Sequence, residues 1–319
     1  MPTIDMSLDR LKEYQGRNPR PADFDEFWDR SLEELAAIDP QPEWTPAAIP
    51  SKIADCFELR FRSTKGAVIF AKVVVPKEHE AKMPALLHFH GLSGQSDSFR
   101  SMLAYASQGF CVASMDCRGQ GGISQDVGGV AGTTYTTPFT RGLEGKPEDL
   151  LCRDLFLDTA MLARIIMERD DVDETRMGVF GGSQGGALTV ACAALVPSIK
   201  LCAPTHPYLS DYKRVWEMDL DKNAYEGLRY YFRHFDPMHE REHEIFEKLG
   251  YIDIQFLAPR IRAKVKMFTG LMDNICPPST QFAAYNKMVC EKEMVIYPDY
   301  AHETPACHSD QVFTFFAQL

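Results

Sequence analysis

Short apolar runs and longer segments of helical periodicity follow one another along most of this chain. The apolar runs occupy residues 85–89, 110–115, 177–180, 200–203, 265–269 and 294–297. Between them, apolar side chains recur every three or four positions, most clearly in residues 96–108, 154–168 and 185–195. Strands that are apolar throughout are buried on both faces of a sheet. The pattern therefore predicts an α/β fold, with a mostly parallel central sheet and helices on both faces.

The N-terminal part of the chain departs from this pattern. In residues 23–38, apolar side chains such as Phe24 and Trp28 recur at helical spacing, and acidic residues fill the opposite face. This predicts an amphipathic helix within an N-terminal extension of residues 1–50. Residues 52–76 alternate between apolar and polar positions on either side of a turn-prone segment, which predicts an antiparallel hairpin.

A second departure lies in residues 208–262, which are rich in aromatic and charged side chains and interrupt the strand-helix order. Insertions of this kind often cover the carboxyl ends of the strands, where open α/β sheets bind their ligands. We therefore predict a helical, lid-like insertion at residues 208–262, within a single domain formed by residues 1–319.

Composition and charge narrow the range of partners. The 319-residue chain has a net charge of -11 and a pI near 5.3, which argues against nucleic acid or an anionic membrane as a partner. It lacks both a signal-peptide pattern and an apolar stretch long enough to span a bilayer, so we expect a cytoplasmic protein. Nine cysteines are scattered without a C-x-x-C pair, which favours reduced core thiols over disulfides or metal ligands.

The strongest chemical signal is the segment Gly181-Gly182-Ser183-Gln184-Gly185. This G-x-S-x-G motif lies between an apolar run and a run of small residues. A strand, a sharp turn and a helix in that order would place the Ser183 hydroxyl at the apex of a nucleophile elbow. On its own the motif is also compatible with a glycine-rich turn without chemistry. The serine needs a base, usually a histidine oriented by a carboxylate.

Two later loops supply candidates for that base and that acid. Asp273 follows the run at 265–269, and His302 follows the run at 294–297. Elbow-bearing hydrolases use the same chain order of serine, acid and histidine. Asp299 is a rival acid, but it lies in the same loop as the histidine, whereas the template takes the acid from the preceding strand end. We predict Asp273 as the acid and His302 as the base.

The mechanism also requires two backbone N–H groups that stabilise the developing oxyanion. Gln184 follows the nucleophile at the start of a predicted helix, and its N–H is one candidate. The other is the N–H of Leu92, because His90-Gly91-Leu92 forms the loop after the run at 85–89.

One further motif points elsewhere. Residues 239–243 read H-E-x-x-H, which binds zinc when both histidines lie on one face of a helix. The segment is strongly charged and lies in the predicted insertion, so we interpret it as a solvated helix face and predict no metal site. His88, His206 and His308 have no partner motif, and we interpret them as structural or pocket-lining residues.

Together these motifs resemble those of the acetyl xylan esterase and cephalosporin-C deacetylase family of α/β hydrolases, carbohydrate esterase family seven. The Arg-Gly-Gln and Gly-Gly-Ser-Gln-Gly-Gly elements are far more specific than G-x-S-x-G alone. The matching segments are His90-Gly91, Asp116-Cys117-Arg118-Gly119-Gln120-Gly121, residues 172–186, Pro207-Tyr208-Leu209-Ser210, residues 273–280 and His302-Glu303.

The resemblance implies an α/β-hydrolase fold and a serine carboxylesterase with the triad Ser183, Asp273 and His302. It also implies an oxyanion hole formed by the N–H groups of Leu92 and Gln184. Members of the family remove acetyl groups from small carbohydrate esters, such as acetylated xylo-oligosaccharides, and from cephalosporin C. They are cytoplasmic, commonly form hexamers and need no cofactor.

The same resemblance places the substrate pocket. We expect its walls to include His90, Pro207, Tyr208 and Ile275. Two positions depart from the family pattern: Leu92 stands where tyrosine is typical, and Thr205 stands where many members have aspartate. The pocket is therefore expected to differ in shape from that of typical members.

Two alternatives remain open at this point. The first is another small-acyl esterase, or a peptidase, of the same fold, although the chain has no repeat domain of the kind that oligopeptidases carry. The second is a non-catalytic binding protein on a hydrolase scaffold. Such proteins lose a member of the triad, whereas this chain keeps a candidate for each position.

Overall fold

Nine strands form one mixed sheet in the computed structural model, which describes residues 4–79, 82–127, 129–131 and 137–319. The strands are β1 (Glu43–Pro46), β2 (Ala54–Arg62), β3 (Val68–Pro76), β4 (Met83–Phe89), β5 (Cys111–Met115), β6 (Val172–Gly182), β7 (Leu201–Thr205), β8 (Lys264–Gly270) and β9 (Lys292–Tyr297). Their order is β1-β2-β3-β5-β4-β6-β7-β8-β9. The six strands from β4 to β9 pair in parallel, as predicted, while β1, β2 and β3 add an antiparallel flank next to β5.

Helices cover both faces of this sheet. They are α1 (Leu8–Glu13), α2 (Phe24–Ala36), α3 (Phe99–Ala106), α4 (Leu151–Met167), α5 (Gln184–Leu195), α6 (Tyr212–Glu217), α7 (Glu226–Phe235), α8 (Glu242–Gly250), α9 (Ile254–Leu257), α10 (Pro278–Lys287) and α11 (His308–Phe316). Along β4, Leu87 packs in the core that contains α4 and α5, whereas Leu86 packs in the core that contains α3 and α11. Neighbouring residues of a strand face opposite sides of the sheet, which explains why the strands are apolar throughout.

The predicted N-terminal elements are present. Helix α2 buries Phe24, Phe27 and Trp28, and the Trp28 indole donates to the Tyr251 carbonyl oxygen at 3.0 Å. The hairpin pairs β2 with β3 in antiparallel register. The edge strand β1 was not predicted, because its four mostly exposed residues carry no apolar alternation.

The predicted insertion, residues 208–262, contains α6, α7, α8 and α9 and follows the carboxyl end of β7. Its first turn is tied to the N-terminal segment through the buried Asp211 carboxylate. This group accepts hydrogen bonds at 2.8 Å from the Tyr14 hydroxyl and from the backbone N–H groups of Arg17 and Asn18. Whether the insertion acts as a lid stays a prediction.

The cysteines only partly follow the core expectation. All nine are free, and seven of them are buried. Cys290 is half-buried and Cys307 is exposed, so these two lie outside the core. Within the described ranges, no helix combines the length and apolarity that crossing a bilayer requires.

Candidate active site

Ser183 lies at the sharp turn between β6 and α5. β6 ends at Gly182, α5 begins at Gln184, and the serine between them has φ 57° and ψ -119°. This conformation is strained for a residue with a Cβ, so its surroundings must hold it. The Ser183 N–H donates to the Thr205 carbonyl oxygen and the Ser183 carbonyl oxygen accepts from the Tyr208 N–H, each at 3.0 Å. The last residue of β7 and the loop after it therefore hold the turn from both sides.

Glycines flank the turn because the backbone of β4 approaches it closely. A Cβ on Gly181 or on Gly185 would overlap the carbonyl oxygen of Phe89. The glycines of the G-x-S-x-G motif are thus required by the contact between α5 and β4, as the elbow interpretation anticipates.

The structure brings together the three residues predicted for the triad. Nε2 of His302 lies 3.0 Å from Ser183 Oγ, and Nδ1 of His302 lies 2.8 Å from Asp273 Oδ2. A carboxylate only accepts hydrogen bonds, so Nδ1 carries the ring proton and the Nε2 lone pair faces the serine hydroxyl. Asp299, the rival acid, is exposed and makes no hydrogen bond with His302.

The Asp273 carboxylate is fully buried and fixed by donors of its own loop. Its Oδ1 accepts from the N–H groups of Ile275 and Cys276 at 2.9 and 2.8 Å. Its Oδ2 accepts from Gln281 Nε2 at 3.3 Å in addition to His302. Charge-assisted hydrogen bonds of this kind hold the carboxylate in one orientation towards the imidazole.

The two predicted oxyanion donors remain unpaired. Neither the Leu92 N–H nor the Gln184 N–H has a hydrogen-bond partner among the described residues. Gln184 is the first residue of α5, where N–H groups lack partners within the helix. The Leu92 loop is close to Ser183, because a Cβ on Gly91 would lie 4.0 Å from the Ser183 Cβ.

A glutamine pair ties that loop to α5. Gln120 Oε1 accepts from the Ser93 N–H at 2.9 Å, and the side-chain amides of Gln120 and Gln184 exchange hydrogen bonds at 2.9 and 3.0 Å. Two residues earlier, the buried Arg118 guanidinium makes two hydrogen bonds of 2.6 Å to the Asp158 carboxylate. In the sequence, the Arg-Gly-Gln element signalled only a resemblance. The structure shows that it joins the loops after β4 and β5 to the start of α5, beside Ser183.

The sequence predicts only a structural or pocket-lining place for His206. It lies directly after β7, with φ 32°, and its ring centroid is 4.3 Å from that of His302. Burial, with a smaller contribution from His302, lowers the pKa of His206 to about 4. At neutral pH, an uncharged imidazole therefore packs against the histidine of the triad candidates.

The Cys276 thiol lies in the same neighbourhood. Burial and the charge of Asp273 raise its pKa well above the usual value for a thiol, and a hydrogen bond with Ser183 opposes the rise. Cys276 is therefore a neutral, buried thiol beside the serine.

Of the four expected pocket residues, His90 braces the backbone. Its Nε2 accepts from the Cys117 N–H at 2.9 Å, so its Nδ1 donates to the Gly91 carbonyl oxygen at 2.7 Å. A ring whose Nε2 accepts a hydrogen bond is uncharged, and burial lowers the pKa of His90, which favours the same form. Both ring nitrogens are thus occupied within the protein.

The other three expected pocket residues differ in exposure. Tyr208 is fully buried and its hydroxyl donates to the Ala224 carbonyl oxygen. Pro207 is also buried, whereas Ile275 keeps partial exposure. Ile275 is therefore the most exposed of the four residues. Tyr208 lies in the core and supports the site from there.

The H-E-x-x-H segment does not form one helical face. His239 precedes α8, has φ 56° and packs against Phe232 at 4.8 Å between ring centroids. His243 lies on α8 and is exposed. The expected helix face therefore exists only in the second half of the segment.

Comparisons with known proteins agree with this architecture. The acetyl xylan esterase (AXE1) family matches residues 1–319. Acetyl Xylan Esterase 1 from Thermoanaerobacterium sp. superposes with a TM-score of 0.97 at 50% identity, covering 99% of each chain. An acetyl xylan esterase from Paenibacillus sp. R4 superposes with a TM-score of 0.93 at 31% identity, covering 98% of this chain and 99% of its own.

A curated relative extends the comparison. Acetyl esterase Axe7A of Xylanibacter ruminicola is 26% identical over 318 residues, which is 94% of this chain and 67% of that protein. The family match spans the whole chain, and the fold and the elbow agree with it. This protein belongs to the acetyl xylan esterase family of α/β hydrolases and is a carboxylic ester hydrolase.

Proposed function

We propose that this esterase removes acetyl groups from small acetylated carbohydrates, with Ser183 as nucleophile, His302 as base and Asp273 as the acid that orients the base. The observation that carries the proposal is the continuous hydrogen-bond chain from Asp273 through His302 to Ser183. The proposal that the acyl group is acetyl rests on the relatives, which are acetyl and acetyl xylan esterases by name. Acetylated xylo-oligosaccharides are the proposed substrates, and cephalosporin C is a further acetyl ester of the same chemistry.

The proposed reaction is a two-step acyl transfer. Ser183 Oγ attacks the acetyl carbonyl carbon while His302 Nε2 accepts the hydroxyl proton. The resulting oxyanion accepts hydrogen bonds from the N–H groups of Leu92 and Gln184. The carbon–oxygen bond to the sugar then breaks, and the sugar leaves with the proton from His302. Water, deprotonated by the same nitrogen, attacks the acetyl-enzyme and releases acetate.

The test compares Ser183→Ala with the exposed-serine control Ser198→Ala, by acetate release from acetylated xylo-oligosaccharides. Loss of the nucleophile is expected to lower kcat by about 10⁶, and the control should match the wild type. Wild-type turnover by Ser183→Ala would refute the mechanism.

Two further measurements separate the alternatives. A series of acyl esters of increasing chain length should show a preference for acetyl over longer groups, and a preference for long chains would favour a different esterase. A serine-reactive phosphonate should label Ser183. Failure of the wild type to react would favour a non-catalytic scaffold.

We also propose that the chain forms a homo-oligomer, a hexamer as the family resemblance implies. Supporting features are the exposed edge strand β1 and the exposed apolar side chains Ile49 and Ile53 beside it. Unpaired strand edges and exposed apolar side chains favour contact with another chain. Light scattering after gel filtration tests this, and a mass of 36.0 kDa, that of one chain, would contradict it.

A further inference from the structure

Three metal-ligating side chains follow three adjacent strands of the sheet. His206 comes directly after β7, Asp273 lies in the loop after β8, and His302 lies in the loop after β9. Because β7, β8 and β9 are parallel neighbours, their carboxyl ends lie at one edge of the sheet. One ligand atom from each of the three residues lies within 4.8 Å of the other two.

The ring nitrogens of His206 are available to bind a metal ion, and the proposed hydrolysis does not use them. Its side chain is 8% exposed, and neither ring nitrogen forms a hydrogen bond with another described residue. The ring packs against His302 at 4.3 Å between centroids. The ring nitrogens are not among the fully buried polar atoms that lack a partner in the described residues, so they keep contact with solvent and an ion can reach them.

The ligand set suits a borderline divalent cation. Two imidazoles and one carboxylate form a common protein site for Zn²⁺, with bonds of about 2.0–2.2 Å that leave ligand atoms roughly 3.3 Å apart. To reach that range, His302 Nδ1 and Asp273 Oδ2, now 2.8 Å apart, must separate by about 0.5 Å, and His206 must move closer by up to about 1.5 Å. Asp273 is already supported from behind, since the N–H groups of Ile275 and Cys276 hold its Oδ1. Such outer contacts fix the orientation of metal ligands.

We propose that His206, Asp273 and His302 bind one Zn²⁺ ion and that this binding inhibits the esterase. The inhibition rests on the proposed function, because His302 and Asp273 are its base and its orienting acid. Zn²⁺ displaces the Nδ1 proton of His302, which is released to water, and the Nδ1–Oδ2 hydrogen bond to Asp273 is replaced by two bonds to the ion. The imidazole then no longer accepts the Ser183 proton while paired with its carboxylate, and turnover stops until the ion leaves.

Zinc binding is measured first without catalysis. The Ser183→Ala protein keeps all three ligands, and after treatment with EDTA it should bind one Zn²⁺ per chain in a calorimetric titration with zinc chloride. Adding His206→Gln should weaken this binding at least tenfold. Adding His243→Gln, which removes an exposed histidine, should leave it unchanged. Equal binding in both double variants would overturn the site.

Inhibition is measured in the active enzyme. Zinc chloride should suppress acetate release by the wild type, and EDTA should restore it. His206→Gln, compared with its own zinc-free rate, should need at least tenfold more zinc for half-inhibition. An unchanged half-inhibiting concentration would overturn the proposal.

Spectroscopy covers the case in which His206→Gln does not fold. X-ray absorption of the zinc-loaded Ser183→Ala protein should show two imidazole ligands and no sulfur, and any other ligand set would overturn the site.

The proposed hydrolysis and the proposed metal site can each fail without the other. If Ser183→Ala keeps full activity, the triad proposal fails while zinc binding still reports on His206. If Ser183 proves essential and zinc binds without His206, only the metal site fails.

Discussion

The His302 imidazole and the Ser183 hydroxyl lie 119 residues apart in the chain and 3.0 Å apart in the structure, between Nε2 and Oγ. The opposite ring nitrogen, Nδ1, lies 2.8 Å from Asp273 Oδ2. This arrangement leaves one lone pair on the ring, and it faces the serine.

Asp273→Asn is therefore expected to keep the fold and lose activity. The asparagine amide can donate to Nδ1, which favours the tautomer whose proton lies on Nε2, facing the serine. We expect kcat to fall by about 10⁴ with little change in KM. Steady-state kinetics on an acetyl ester measure this. Asp299→Asn is the matched control, and a comparable loss in that variant would restore the rival acid.

Gln120 is expected to act as a positioning residue for the oxyanion donors. Gln120→Leu removes the acceptor of the Ser93 N–H and the partner of the Gln184 amide. The loop that carries Leu92 should loosen, and kcat should fall by about 10- to 100-fold with a smaller effect on KM.

The control for Gln120 is Gln108→Leu, at an exposed residue two positions after the end of α3. Gln120→Glu keeps a side-chain acceptor and should recover part of the lost rate. If Gln120→Leu and Gln120→Glu both match the wild type, the glutamine pair has no part in positioning the loop.

Gly182 and Gly185, on either side of the Ser183 turn, should differ sharply in their tolerance of a side chain. A Cβ on Gly185 overlaps the Phe89 carbonyl oxygen, whereas the nearest atom to a Cβ on Gly182 is His206 Nε2 at 3.5 Å. Gly185→Ala should lower the free energy of unfolding by about 3 kcal/mol or more, and Gly182→Ala by less than about 1 kcal/mol. Urea denaturation followed by circular dichroism measures both. Similar losses would mean that the backbone contact with β4 does not set the requirement.

Acid should destabilise the protein partly through His88. Burial lowers the pKa of His88 from 6.5 to about 4. Between these values the unfolded chain binds a proton that the folded protein excludes, so the free energy of unfolding falls as pH drops from about 6.5 to about 4. The contribution is fully present above pH 6.5.

His88→Gln tests that contribution, with Gln108→Leu as a control that leaves the titration intact. The dependence of unfolding free energy on pH should become shallower between pH 6.5 and 4 in His88→Gln. The pH dependence should not vanish, because burial also lowers the pKa values of His90 and His206. An unchanged slope would show that His88 takes up its proton equally in both states.

Much of the fold was predictable because the signals are local. The continuous apolar runs predicted six strands of the sheet, because a strand buried on both faces is apolar throughout. The amphipathic pattern predicted α2, because a helix buried on one face carries apolar residues every three or four positions. Strand β1 was not predictable, because a mostly exposed edge strand of four residues requires no regular pattern of apolar residues. The interpretation of His90 and Tyr208 as pocket walls followed their place beside matching motifs. Which way their polar atoms turn depends on partners far away in the chain.

The sequence by itself determined the α/β class and the glycine-flanked turn at Ser183, and it predicted the order of serine, acid and histidine, because each rests on residue types at short spacing. Only the tertiary structure decided that the Gln120 amide pairs with that of Gln184, 64 residues away. It also decided that His206 packs against His302. The physical reason is the strand order: β7, β8 and β9 lie side by side, so loops distant in sequence meet at one edge of the sheet.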